Sequence, residues 1–379
     1  MLPEKFCIAP FIQMQTSKDG CFGPCPYTAN LWSKKGTLLE QWQSTELENL
    51  RQNFINGKQD SQCQRCWKEE SAGKKSLRIR LKEFRQSNNL EDKVFRKYIN
   101  AGHYKKFPLV LTLIPGNECN LACASCSGDF SSKWNSLTKQ QDYGKFQKVT
   151  NNWNLANEQY QEIVDNSHKL QKIELFGGEP FLNKKNKTLL IDKLIEKGTS
   201  KEIKLYFNTN GTLYDADYMK RLTDHFKFVE IRLSMDGVGS QFEYLRSGAK
   251  YKNVIENAEN FAKLSNSDFQ IICTVSTFNI MSLSEINTLA KSKGWSIYYN
   301  IANTPNHILT HNIPEEIKQK INLDSNFSEI TQYMRNKPCN NEEWKNFVQY
   351  TKILDKNRGT SFSKTFPELY NLVKKHGYE

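Results

Sequence analysis

The sequence predicts an α/β fold in which parallel strand–helix units follow a small cysteine-rich unit and lead into a helical extension. Three observations predict it. From residue 108 onward, apolar runs of strand length alternate with helical stretches, the pattern of βαβ construction. Five of the ten cysteines fall within residues 1–78. Residues 303–379 are polar and rich in Asn and Lys, with helical pieces around 313–336 and 341–355.

Residues 1–78 hold Cys7, Cys21, Cys25, Cys63 and Cys66. Phe11 to Gln15 alternates weakly and leads into Lys18-Asp19-Gly20, which reads as a hairpin start. Glu46 to Gly57 reads as a short helix that returns the chain to Cys63. Four cysteines closed by a Cys63-x2-Cys66 pair suit a tetrahedral zinc ion and an iron–sulfur cluster alike, so spacing alone leaves both open. Cys21 is the odd one out and reads as a bystander.

Residues 79–107 make a basic helical connector. Within 74–106, eleven Lys/Arg stand against three acids, and Leu77, Leu81 and Phe84 recur at helical spacing. A solvated amphipathic helix accounts for that pattern. Residues 108–302 then supply strands at 109–114, 172–176, 203–208, 229–234, 269–276 and 295–301, with helices between them such as 156–168 and 187–197. In a barrel of such units, function sits at the C-terminal ends of the strands.

The chemistry gathers at those ends. Directly after the first strand, Cys119, Cys123 and Cys126 stand at Cx3Cx2C spacing in a polar loop. Three thiolates can hold three irons of a 4Fe–4S cluster and leave the fourth iron open. A structural zinc site would want a fourth ligand, and no Cys or His lies near in sequence. The second strand runs into Gly177-Gly178-Glu179-Pro180, whose glycines let the backbone approach a ligand closely. The third ends in Asn208-Thr209-Asn210-Gly211 and the fourth in Ser234-Met235-Asp236-Gly237, polar tips that ordinary turn chemistry also explains.

Cx3Cx2C followed by Gly-Gly-Glu-Pro resembles the radical S-adenosylmethionine (SAM) superfamily. The resemblance implies a partial (β/α)6 barrel over 108–302 whose open iron is chelated by SAM. It places Gly177, Gly178, Glu179 and Pro180 at the SAM amino group, Asn208 or Asn210 at its methionine or ribose part, Ser234 and Asp236 near the ribose, and Arg246 at the carboxylate. The pattern Cys7…Gly20-x4-Cys25 closed by Cys63-x2-Cys66 resembles SPASM/twitch domains, implying an auxiliary 4Fe–4S cluster on Cys7, Cys25, Cys63 and Cys66. Two departures stand out. The module precedes the barrel instead of following it, and Ser125 occupies the place of the aromatic residue that usually flanks the adenine; Thr274 and Val275 lie where an apolar adenine contact is expected.

The resemblance further implies a flavodoxin or ferredoxin as reductant and a peptide or protein substrate that is oxidised, crosslinked or epimerised. Modification of a nucleotide or RNA, or dehydrogenation of a small molecule, is the alternative. The net charge of +12 invites nucleic acid. Forty-two of the basic residues are lysine and eleven are arginine, however, and bidentate phosphate recognition favours arginine. No apolar run approaches the ~20 residues of a membrane span. Met1 to Lys5 shows no signal pattern, so ten cysteines point to a reducing cytoplasm. The six histidines are scattered without metal spacing and receive no catalytic role. Cys273, inside the fifth strand, reads as a buried small hydrophobe, whereas Cys339 in a polar loop is the one cysteine left as a candidate hydrogen donor.

Overall fold

The computed structural model describes residues 2–17, 20–28, 36–71, 75–87 and 92–375. Lys18 and Asp19 of the expected turn, residues 88–91 of the connector, the Phe84 side chain and His376 lie outside the description. The described strands are, in chain order, β1 (Gln13–Thr16), β2 (Phe22–Gly23), β3 (Val110–Leu113), β4 (Ala122–Cys123), β5 (Lys172–Leu175), β6 (Lys204–Thr209), β7 (Phe228–Ser234), β8 (Arg246–Ser247), β9 (Ser267–Val275) and β10 (Ser296–Ile301). All six strands read from the sequence are present, as β3, β5, β6, β7, β9 and β10. Two elements at the expected helix 187–197 share the work: a π-helical segment Asn186–Ile191 and an α-helix Asp192–Glu196.

The chain divides into two compact units. The first comprises Met1–Gly116, Trp153–Phe207 and Asp224–Val229; the second comprises Asn117–Asn152, Asn208–Thr223 and Glu230–Glu379.

In the first unit β3, β5 and β6 pair in parallel, as βαβ construction requires. The N-terminal hairpin also forms, with β2 antiparallel to β1. Strand β1 then pairs in parallel with β3, a partnership that no local pattern announces. Register places Met14 opposite Leu111, Leu111 opposite Ile173, and Ile173 opposite Leu205. All four are fully buried, because in-phase alternation turns one side of every strand to the core. On the other side Thr112 donates to Glu174 at 2.7 Å, and Lys172 pairs with Glu174 at 3.1 Å.

In the second unit β9 lies between β7 and β10, and β9 and β10 run parallel over six register pairs, Ser296–Gln270 through Ile301–Val275. Its longest helix, Asn341–Arg358, is set by sequence signals at both ends. The Asn340 side chain caps the N-terminus by accepting from the Glu342 and Glu343 amides, and Gly359 ends the helix at φ +64°. Trp344, Phe347, Tyr350 and Leu354 recur on one face and are buried. Among the described residues no helix is long and apolar enough to cross a membrane.

Candidate functional site

The Cx3Cx2C loop belongs to the second unit, and its backbone is held from several sides. Ser132 Oγ donates to the Cys119 carbonyl (3.1 Å) and Ser131 Oγ to that of Leu121 (2.6 Å). Trp134 Nε1 donates to the Cys123 carbonyl (2.9 Å) and Gln147 Nε2 to that of Cys126 (2.8 Å). From the helix Asn341–Arg358, Tyr350 Oη reaches the Ala124 carbonyl at 2.9 Å and Arg358 Nη2 that of Ala122 at 2.6 Å. These bonds leave the three side chains, not the backbone, to define what the loop can bind.

Burial pushes the Cys123 and Cys126 thiols up, and for Cys126 the neighbouring Cys123 and Cys119 add to it. The Arg246 guanidinium offsets this in part, and two N–H groups point at sulfur. Asn210 Nδ2 stands 4.0 Å from Cys119 Sγ, and Arg246 Nη1 stands 3.8 Å from Cys123 Sγ. Arg246 gets there because β4 and β8 form a short antiparallel ladder that sets Cys123 opposite it. Its guanidinium pairs with Asp236 at 2.8 Å, and both are almost fully buried.

Asp236 also accepts from the Thr274 amide at 2.7 Å. The buried Asn279 braces this corner: its Nδ2 donates to the Asp236 and Thr274 carbonyls at 2.9 and 3.0 Å, and its Oδ1 accepts from the Ser276 amide. Asn210 accepts from the Thr212 amide and donates to Asn120 Oδ1, both at 2.9 Å. Asn208 Oδ1 is buried without a partner, as is Arg246 Nε. Ser234 closes β7 half-buried.

Clustered thiols fit an iron–sulfur group, since coordinated thiolates gain from N–H···S contacts that a neutral thiol needs less. An orphaned buried acceptor at Asn208, with an orphaned donor at Arg246, fits a polar ligand beside the cluster.

The Gly-Gly-Glu-Pro turn lies in the first unit. Gly177 and Gly178 adopt φ of +73° and +55°, open to glycine and strained for other residues. A Cβ on Gly177 would also strike the Ile114 side chain, which keeps this turn tight against the end of β3. Glu179 is buried, and Asn186 Nδ2 anchors the Pro180 carbonyl at 3.0 Å.

In the same unit Cys7, Cys25, Cys63 and Cys66 line one cavity together with Tyr27 and Arg78, and Cys21 does not line it. Burial pushes Cys7 up to about 12, and it raises Cys25, Cys63 and Cys66 as well; Cys7, Cys25 and Cys63 are each also raised by at least one of the others, and Cys66 by Glu69 and Glu70. The Tyr27 amide donates to Cys25 Sγ at 3.4 Å. Arg78, expected on a solvated helix face, is buried instead; it pairs with Glu70 and donates to the Glu4 and Phe6 carbonyls. Among the described residues no three His, Cys, Asp or Glu side chains close on a single metal-ion position.

The two leftover cysteines separate cleanly. Cys273 is fully buried in the core of the second unit, with its thiol raised well above normal by burial. Cys339 is half-buried and donates to the Asn312 carbonyl at 3.0 Å.

Residues 113–287 match the model of the Radical SAM superfamily. They are a radical SAM domain. No curated protein matches the chain. Solved structures similar to it include native anSMEcpe with bound AdoMet, at 22% identity and TM-score 0.40 over 52% of each chain. They also include native anSMEcpe with AdoMet and Kp18Cys peptide, at 18% identity and TM-score 0.41 over 72% of this chain and 62% of that one. Streptococcus suis SuiB bound to S-adenosylmethionine has 14% identity and TM-score 0.41 over 97% of this chain and 75% of that one. The chain thus spans about half the length of the first of these, and likeness so distant says nothing of substrate.

Around the radical SAM domain, the residues that sequence reasoning missed are those that hold the cysteine loop and Asp236 in place: Ser131, Trp134, Gln147, Asn279, Tyr350 and Arg358. Asn279 had a signal, because Ser276-Thr277-Phe278-Asn279 is one more polar tip beyond a strand.

His307 sits in the second unit with Phe146 and Tyr350 rings at 5.0 and 4.6 Å, and burial pushes its pKa down to about 4. The unfolded chain protonates this imidazole near pH 6.5 while the folded one keeps it neutral. Stability is therefore full above about pH 6.5 and falls as pH drops toward 4, by about 3 kcal/mol at most. Urea unfolding from pH 7 to 4 is expected to show a shallower loss in His307→Gln than in wild type. Parallel curves would mean that His307 titrates alike in both states.

Proposed function

We propose that this radical SAM enzyme holds a second, auxiliary 4Fe–4S cluster in its N-terminal module and modifies a peptide or protein. The observation that carries the reading is the cavity shared by Cys7, Cys25, Cys63 and Cys66. Four thiols from three separated stretches of chain converge there, and the fifth cysteine of the module stays out. Modules resembling this one accompany radical SAM barrels that oxidise, crosslink or epimerise peptides. The basic stretch lends less to an RNA reading, because Arg78 is committed inward and Lys75 and Lys105 pair with Glu83 and Glu48.

In this reading Cys119, Cys123 and Cys126 hold the catalytic cluster. That cluster, with SAM bound, would supply the one-electron reductive cleavage of SAM that starts hydrogen abstraction from the substrate. The protein's own residues bind and orient. By the family resemblance, Gly177, Gly178, Glu179 and Pro180 would receive the SAM amino group, Asn208 or Asn210 its methionine or ribose part, and Ser234 and Asp236 the ribose. Arg246, neutralised by Asp236 and turned toward Cys123 Sγ, presents the remaining N–H donors to the carboxylate. A flavodoxin- or ferredoxin-type protein in the cytoplasm supplies the electron.

Two measurements test the reading. Protein reconstituted without oxygen is expected to bind about eight irons, two cubanes; zinc in place of half of them would overturn the auxiliary cluster. Glu179→Ala is expected to weaken SAM binding by about 1–3 kcal/mol, the cost of losing a charged hydrogen-bond partner. Wild-type affinity in that variant would remove Glu179 from the SAM site.

A further inference from the structure

Two arginines approach the Cys123 ligand, and they differ in how their charge is balanced. Arg246 faces Asp236 at 2.8 Å, so the pair contributes little net charge. Arg358, in the last turn of the helix Asn341–Arg358, makes no ion pair among the described residues; Asp355, one turn earlier, accepts instead from Thr360 Oγ1 and the Phe362 amide. Its guanidinium donates instead to two neutral carbonyls, Ala122 at 2.6 Å and Tyr244 at 3.3 Å, and lies 4.9 Å from the centre of the Trp134 ring. Trp134 in turn donates to the Cys123 carbonyl. The cation is thus fixed against the residue before Cys123 and against the indole that holds Cys123.

Fixed charge is one of the levers that set an iron–sulfur potential, along with hydrogen bonds to sulfur and solvent exposure. Reduction adds one electron to the oxidised 4Fe–4S cluster and makes it one unit more negative. A nearby uncompensated cation therefore favours the reduced form. We infer that Arg358 is a positioning residue that raises the reduction potential of the cluster held by Cys119, Cys123 and Cys126, through an unpaired charge delivered from the C-terminal helix. The inference rests on the loop being the cluster site. Its failure is distinguishable from failure of that reading, because iron content is read separately from potential.

The test is a dithionite redox titration of reconstituted protein, with the reduced cluster followed by electron paramagnetic resonance. Auxiliary-site cysteines Cys63 and Cys66 are replaced by Ala, so that one cluster is observed. Arg358→Met is expected to lower the equilibrium constant for reduction about tenfold, a fall of ~59 mV for one electron. Arg358→Lys, which keeps the charge without the forked geometry, is expected to stay near wild type. If Arg358→Met fails to keep iron, Arg358→Gln removes the charge while retaining an N–H donor for Ala122, and the same fall is expected. A wild-type potential in the charge-free variant overturns the inference. So does a Lys variant that falls as far as the Met variant, since geometry and not charge would then be responsible.

Discussion

Replacing Cys119, Cys123 and Cys126 together by Ala is expected to abolish reductive SAM cleavage and to halve the bound iron, from about eight to about four per chain. The fold should survive this change. The loop's backbone is held by Ser131, Ser132, Trp134, Gln147, Tyr350 and Arg358 through carbonyls, none of which the substitutions touch. Residual 5′-deoxyadenosine from dithionite-reduced triple variant, at the wild-type rate, would place the catalytic cluster elsewhere. An unchanged iron count would do the same. Circular dichroism and the unfolding midpoint provide the control, because a collapse of structure would remove iron for an unrelated reason.

Asp236→Ala is expected to cost about 3–5 kcal/mol of stability, the penalty for stranding a buried charge after its partner is removed. Asp236 and Arg246 are both under a tenth exposed, so water cannot stand in for the lost carboxylate. The Thr274 amide loses its acceptor at the same time. Combining Asp236→Ala with Arg246→Met should cost less than the sum of the two, because the second change removes the stranded cation. Urea unfolding of the four proteins, handled without oxygen, gives the comparison. Additive effects would show that the two side chains act independently, contrary to the 2.8 Å pairing.

Much of this protein is legible in its sequence. Six strands follow from apolar runs that repeat every second residue, a property of a few neighbouring side chains. The helix that ends at Arg358 follows in the same way from Asn340, Gly359 and its apolar face. The hairpin at β1 and β2 was also within reach of local pattern.

Other parts were out of reach for a stated reason. Arg78 lies on a basic, amphipathic stretch, and nothing local distinguishes it from Arg80. It is buried because Glu70, eight residues earlier, and the carbonyls of Glu4 and Phe6, remote along the chain, meet it. Tyr350 and Arg358 read only as helix residues, yet they hold a loop more than two hundred residues earlier.

The chemistry of the loop was decided by sequence alone, because Cx3Cx2C puts three thiols within eight residues and no fold can separate them far. The nature of the Gly177-Gly178 turn was settled likewise, since only glycine adopts those backbone angles without strain. The grouping of Cys7, Cys25, Cys63 and Cys66 without Cys21 was legible from their spacing and its resemblance to SPASM/twitch modules, whereas tertiary structure alone decided that β1 lies beside β3 and that Arg246 is paired with a carboxylate while Arg358 is not. Each of these depends on which distant segments pack together. That choice is made by burial and hydrogen-bond satisfaction summed over the whole chain, and no short window of residues carries the sum.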